Sequence, residues 1–312
     1  MRQEAKLSGN RTDLSDNDSI DRIEQLAKLP ARQADGHKGS YGHVLVVGGS
    51  RGMIGAPGLA ATAALRGGAG LATIAAPEVI QLFSAAICPC ATSVPLSCGA
   101  DGQLAKTAAR EFAEAAKAAT VLAVGPGMGT GRRQQDLVLA AIEQDKPLVL
   151  DADGLNNLSK IDGWAARRRC PLVLTPHPGE LARLTGKPVP EIQSARQASA
   201  VGAARQWSAA APAGAGPLVL LLKGAGTVIT DGRRVRINTT GNPGMATGGT
   251  GDVLTGLVAA LLAQGMEPFD AAALAAHVHG RAGDLAAADL TQPAMIATDL
   301  LERIPKAMRE VL

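Results

Sequence analysis

The chain predicts an α/β protein in three layers, with a mostly parallel central sheet flanked by helices and a small β-hairpin near 228–237. Three observations predict it. Short, unbroken apolar runs recur along the 312 residues, as expected of strands buried on both faces of a parallel sheet. Ala-rich segments with helical spacing lie between them. Five of the runs end in polar or Gly-rich loops, and open α/β sheets bind ligands at the carboxyl ends of their strands.

Taken in order, residues 1–28 carry no strand pattern and only a weak helical one around Ile20–Leu29. They read as a flexible or loosely docked extension ahead of a single domain, 29–312. Val44-Leu45-Val46-Val47 is the first strand and ends in Gly48-Gly49-Ser50. A helix is expected from about Pro57 to Arg66, a strand at Leu71–Ala76, and a helix starting near Pro77. Val121–Val124 runs into Gly125-Pro126-Gly127-Met128-Gly129, and Leu148–Leu150 ends in Asp151-Ala152-Asp153. Leu172–Leu174 leads to Thr175-Pro176-His177-Pro178-Gly179-Glu180, and Leu218–Leu222 leads to Lys223-Gly224-Ala225-Gly226-Thr227. Asp231-Gly232 between Val228–Thr230 and Val235–Ile237 is a hairpin signal. Helices at about 251–264, 268–290 and 297–311 close the chain.

Composition narrows the class. Charged residues are 19% and Gly is 37 of 312, which suits a soluble α/β chain with many tight turns. Aromatics are only 2%, so Ala-rich helices must do much of the packing. A net charge of +3 with no Lys/Arg block interleaved with aromatics does not support nucleic-acid binding. No apolar stretch approaches the roughly 20 residues of a membrane span. The polar, mixed-charge N-terminus does not read as a signal peptide, so a cytoplasmic location is expected. Cys88, Cys90, Cys98 and Cys170 lack zinc or C-x-x-C spacing and read as buried free thiols.

The stretch 239–252 carries the chemistry. It holds five glycines, with two threonines converging on its last turn, and Asp252, then passes directly into the apolar run Val253–Leu262. Glycines bring backbone N–H groups close to a ligand. The first amides of a helix have no partner inside it and, with the helix dipole, form an anion site. Asp252 beside Gly248, Gly249, Thr250 and Gly251 is a poor phosphate ligand, because like charges repel. It is better suited to handling a proton or a metal ion. A lone Gly-Asp would be an ordinary helix-start acid, but the convergence of glycines favours a site.

Other candidates are weaker. Gly48–Gly55 looks like a dinucleotide fingerprint, yet the only tyrosine, Tyr41, lies upstream and no acid ends the second strand, so a Rossmann oxidoreductase is rejected. Lys223–Thr227 joins a strand to another strand and is no Walker loop. It reads as a nucleotide-contacting loop, with surface charge as the alternative for Lys223. His177, between two prolines, is either a binding residue or a structural one. His277 and His279 lie two apart on a helix, on different faces, and read as packing residues. Asp151 and Asp153 suit either Mg²⁺ or capping of a short helix at Leu155–Leu158, the cap suiting Asp153 better.

On these motifs, with His37-Lys38-Gly39, Asp151-Ala152-Asp153-Gly154-Leu155-Asn156 and the full Gly241–Asp252 run, the chain resembles the ADP-dependent NAD(P)H-hydrate dehydratases. These are ribokinase-like proteins that repair hydrated nicotinamide cofactors. The resemblance runs from about Leu29 to the C-terminus. Gly-Thr-Gly-Asp alone would indicate only the wider ribokinase-like group.

The resemblance implies that the (S)-hydrate of NADH or NADPH is dehydrated at the expense of ADP through a phosphorylated intermediate. Asp252 would be the base and would reach the hydrate's hydroxyl. Lys223, Gly224, Ala225, Gly226 and Thr227, with Gly248, Gly249, Thr250 and Gly251, would hold the nucleotide. Ala56, Gly129 and His177 would contact the hydrated cofactor. Mg²⁺ is expected on the phosphates, with no ligand set identified. A homo-oligomer is expected, with a tetramer favoured, and so is a separate epimerase, because 28 spare residues cannot form that domain. The alternatives are a kinase that phosphorylates an alcohol without elimination and a non-catalytic nucleotide-binding module.

Overall fold

Val44, Val46 and Ile74 are buried toward one face of the sheet, and Leu45, Val47 and Leu122 toward the other. Both faces are covered, which is why the apolar runs show no polar alternation. The structure, a computed structural model, describes residues 20–312. Its strands are β1 Asp21–Arg22, β2 His43–Val47, β3 Leu71–Pro77, β4 Thr92–Leu96, β5 Val121–Val124, β6 Leu148–Leu150, β7 Leu172–Leu174, β8 Leu218–Leu222, β9 Val228–Thr230 and β10 Arg234–Ile237. They form one sheet in the order β1-β10-β9-β8-β7-β6-β5-β2-β3-β4. All pairings are parallel except those of β9, which runs antiparallel to β8 and β10.

The helices are α1 Gly55–Arg66, α2 Glu78–Ile87, α3 Ala108–Ala116, α4 Arg132–Ile142, α5 Asp153–Leu158, α6 Trp164–Arg167, α7 Pro178–Thr185, α8 Val189–Ser194, α9 Arg196–Ala210, α10 Thr250–Ala263, α11 Pro268–Leu290 and α12 Ala297–Arg309. One core packs α1, α10, α11 and α12 on the first face. The other packs α3, α4, α5, α7 and α9 on the second, through Phe112, Leu137, Leu155, Leu181 and Ala200. Each fully buried Leu or Val in these cores contributes about 1.5–3 kcal/mol of transfer free energy. Gly256 lets α10 lie against α1, since a Cβ there would stand 2.1 Å from the Ala60 carbonyl oxygen.

The sheet grows in both directions from β2, through β3 and β4 on one side and β5 to β8 on the other. Loops leaving β2 and β5 therefore diverge and open a crevice at the carboxyl ends. No helix among the described residues is long and apolar enough to cross a membrane.

Three expectations need correction, and one strand was not expected. The stretch read as strandless holds β1, where Asp21 and the following Ile23 donate N–H bonds to the Arg233 and Val235 carbonyls. Two polar residues carry no periodicity, and only the open edge of β10 makes them a strand. The proline-containing β4 is a second addition at the opposite edge, where proline is tolerated. Cys88 and Cys170 are buried, but Cys90 is exposed and Cys98 half-buried because both flank that rim strand. Asp153 is not a cap: α5 begins at Asp153 itself, with Ala152 at the N-cap position and no side-chain cap.

Candidate active site

Lys223 leaves the end of β8, and its ammonium meets Asp151, at the end of β6, at 2.6 Å. Asp151 is 1% exposed, and its second oxygen accepts the Thr255 hydroxyl of α10 at 2.7 Å. Glu180, in the first turn of α7, stands 3.9 Å from the same ammonium. Two strand ends and the start of α7 thus converge on a single cation, with α10 bonded to its partner Asp151. Burial works against the charged form of Lys223, but Asp151 and Glu180 outweigh it and hold the ammonium above its ordinary value.

The helix above this cation begins sharply. Gly249 occupies the N-cap of α10 at φ 91°, a left-handed conformation that suits glycine. The Thr250 hydroxyl donates to the Met245 and Thr247 carbonyls and closes the turn. The N–H groups of Thr250, Gly251 and Asp252 have no backbone acceptor among the described residues. A Cβ on Gly251 would lie 3.4 Å from the Lys223 Nζ and 3.6 Å from an Asp151 oxygen, so the ion pair sits directly against the start of α10.

Asp252 shares that turn. Burial, then the Asp151 charge, push its carboxyl up to about 7, with Lys223 opposing and Asp153 adding a smaller push. Glu180 is pushed up to about 7 for the same first reason, burial, with Lys223 opposing and Asp151 adding to it. A carboxylate that titrates near neutrality beside bare N–H donors can accept a proton from a bound hydroxyl.

A cavity of about 720 Å³ opens beside Lys223. It is lined by Lys223, Gly224, Ala225, Gly226, Thr227, Thr250 and Gly251, seven of the nine residues expected to hold the nucleotide. Gly248 and Gly249 are not on its wall. Gly249 is held against Leu59 and Ala297, while Gly248 faces open space. The far wall is the loop 238–243, fastened to α11 by Asp284, which accepts from the Gly241 N–H and the Asn242 side chain.

Of the residues expected to touch the cofactor, Ala56, Gly129 and His177 are not on the wall of this cavity: Ala56 and Gly129 follow β2 and β5, and His177 follows β7. Ala56 packs beside Gly127, whose added Cβ would be 3.0 Å from the Ala56 Cβ. The Gly129 N–H is already donated to Asp153 at 2.9 Å, and its carbonyl accepts from Asn157. Asp153 therefore shapes the Gly-rich loop after β5. His177 caps α7: its Nδ1 accepts from the Gly179 N–H while Glu180 accepts from the His177 N–H. Burial, then Lys223 and Arg183, hold its imidazole below the usual value.

His279, read as a packing residue, also bonds through Nε2 to the Thr250 carbonyl at 2.8 Å and lines the cavity. Burial holds it down at about 4, so it is neutral. Nothing in the sequence pairs Asp151 with Lys223, 72 positions away. Glu180 three residues after His177 was a legible capping box.

A mostly parallel sheet between helical layers, whose crevice holds a helix-start acid, a paired lysine and a cavity, defines a protein of the ribokinase-like class. The solved structures agree. A ribokinase-like superfamily protein of Enterococcus faecalis superposes with TM-score 0.72 at 27% identity, covering 91% of this chain and 92% of its own. The ADP/ATP-dependent NAD(P)H-hydrate dehydratase of Bacillus subtilis, co-crystallised with ATP/Mg²⁺, gives TM-score 0.75 at 32% identity, covering 91% and 95%. The bifunctional NAD(P)H-hydrate repair enzyme of Moorella thermoacetica is 47% identical over 288 residues, which are 91% of this chain and 52% of that protein. This chain thus spans about half the length of the curated relatives it matches. The family model for NAD(P)H-hydrate dehydratase matches residues 44–306, and the chain belongs to that family.

Proposed function

We propose that the protein dehydrates the (S)-hydrate of NADH or NADPH, using ADP as phosphoryl donor. Hydroxide is a poor leaving group and phosphate a good one, so the reaction needs a phosphoanhydride. The hydrate's hydroxyl oxygen attacks the β-phosphorus of ADP, the bond from that phosphorus to the bridging oxygen breaks, and AMP leaves. The phosphorylated carbon then expels phosphate with its bonding electrons, the neighbouring carbon gives up a proton, and the dihydropyridine is restored.

The observation that supports this reading best is Asp252 in the first turn of α10, within the field of Lys223 and beside free main-chain donors. Asp252 takes the hydroxyl proton in the first step. The α10 amides receive the phosphoryl oxygens, and a donor of this kind contributes about 3–4 kcal/mol at comparable sites. In this reading Lys223–Thr227, which line the cavity, take the nucleotide, and Ala56, Gly129 and His177 take the cofactor. With its N–H already engaged, Gly129 meets the cofactor as a surface, without a free donor.

Mg²⁺ fits this reading as an ion carried by the phosphates. Both Asp151 oxygens are taken, and no three His, Cys, Asp or Glu side chains among the described residues are placed to cage a metal. When bound, the ion supplies neutralisation of phosphate charge.

The test is Asp252→Asn. With hydrated NADH and ADP, the return of reduced-nicotinamide absorbance should slow by roughly 10²–10⁴-fold while the circular dichroism spectrum stays native. Turnover close to wild type rejects the assignment. A stable phosphoester formed by the wild-type protein without return of absorbance identifies a kinase instead.

A further inference from the structure

The geometry points to Asp151 as the positioning residue of the phosphoryl-transfer site: it anchors the Lys223 ammonium against the first turn of α10, so that the lysine serves the moving phosphoryl group rather than the resting nucleotide. This rests on the function proposed above.

A lysine is a mobile point charge on a four-carbon stem, able to follow whichever anion is nearest. Here it is not free to do so. Asp151 Oδ1 holds it at 2.6 Å, and Asp151 is itself held by Thr255, whose hydroxyl donates to Oδ2 at 2.7 Å. Thr255 is fully buried and lies one helical turn after Asp252 on α10. A single carboxylate therefore ties β6, the β8 loop and the helix that carries the catalytic acid to one another. The ammonium keeps two further donors. Glu180 approaches at 3.9 Å, and the side chain still reaches the cavity wall.

Placing an anion beside a phosphate site weakens ground-state binding of ADP, because its charge opposes the phosphates. Such a cost is tolerable where it improves transition-state complementarity, since only interactions stronger in the transition state raise turnover. A loosened lysine would instead settle on the bound diphosphate. Removing the Asp151 charge should therefore separate the two effects, giving equal or tighter ADP binding and slower chemistry. A purely structural carboxylate would give the opposite, a damaged pocket that binds ADP less well.

The experiment uses Asp151→Asn in the full chain. ADP binding is measured by calorimetry, and turnover with hydrated NADH is measured at saturating ADP. The expected result is a Kd for ADP unchanged or lowered by up to about tenfold, with kcat down about 10–100-fold, the scale of a small misplacement. Turnover near wild type, or ADP binding weakened in step with turnover, overturns the proposal. If Asp151→Asn does not fold, Thr255→Val carries the test: it leaves the ion pair in place but frees one Asp151 oxygen. Its kcat should fall about 3–10-fold with the Kd for ADP unchanged, and a wild-type kcat overturns the proposal. Wild-type protein that binds ADP but never dehydrates the hydrate refutes the proposed function. The binding comparison then still decides the role of Asp151.

Discussion

Two cations stand at opposite ends of the sheet, one half-buried and one buried, and their surroundings differ in kind. Lys223, at the carboxyl ends, is paired with Asp151 and Glu180, is 20% exposed at its side chain, and faces the 720 Å³ cavity. Arg168, at the amino ends of β7 and β8, is 1% exposed. It donates to the carbonyls of Cys170, Ala215 and Gly216, with no carboxylate in ion-pair reach among the described residues. It too borders a cavity, of about 540 Å³. Volume therefore does not distinguish the ends. The two terminal nitrogens of Arg168 are spent on main chain while its buried Nε makes no hydrogen bond among the described residues, so it is a clasp joining the segments that lead into β7 and β8. The Lys223 donors are only partly spent, and helix N–H groups share its space.

The sharpest way to break this contrast is Lys223→Met. Hydrate turnover should fall at least about 100-fold, and stability should fall by about 3–5 kcal/mol, because Asp151 is left buried without its partner. Denaturant titration and the absorbance assay measure the two losses. Arg168→Met should lose stability on a similar path, about 1–3 kcal/mol for orphaned carbonyls, with turnover per folded molecule within twofold of wild type. A large loss of turnover in the Arg168 variant would erase the distinction.

Smaller effects follow from pH. Asp252 must be ionised to act as a base, so turnover should decline as pH falls through about 7, the value to which burial pushes it. Stability runs the other way. The carboxyls of Asp252 and Glu180 bind protons more tightly folded, at about 7, than at their ordinary values of 3.8 and 4.5. Their contribution is therefore complete below about 4 and is lost as pH rises through 7. The Tm of Asp252→Asn should exceed that of wild type by more at pH 8 than at pH 5, and an equal gap would reject the shift.

The smallest effect tests His177. Asparagine is a good N-cap, so His177→Asn should keep the α7 cap and leave Tm nearly unchanged. If the imidazole meets the cofactor, the KM for hydrated NADH should rise about 3–10-fold, a contact of about 1 kcal/mol. An unchanged KM leaves His177 a cap alone.

Much of the framework was legible because it rests on local pattern. Val44–Val47, Val121–Val124 and Leu218–Leu222 are buried on both faces, and burial of that kind leaves an unbroken apolar run in the sequence. Asp231-Gly232 marked its hairpin, and the glycines before Asp252 marked a helix start with bare donors. The proline inside β4 and the two polar residues of β1 left no such trace.

What the amino-acid order determined by itself was therefore the layered architecture and the place of the Gly-rich turn that starts α10, since both follow from spacing within a few residues. Only the tertiary structure decided that Asp151 belongs to Lys223 and Thr255, that Asp153 holds Gly129, and that His279 braces Thr250. These contacts join residues far apart in the chain. Their energies depend on burial and distance, which exist only after the sheet has brought its strand ends together.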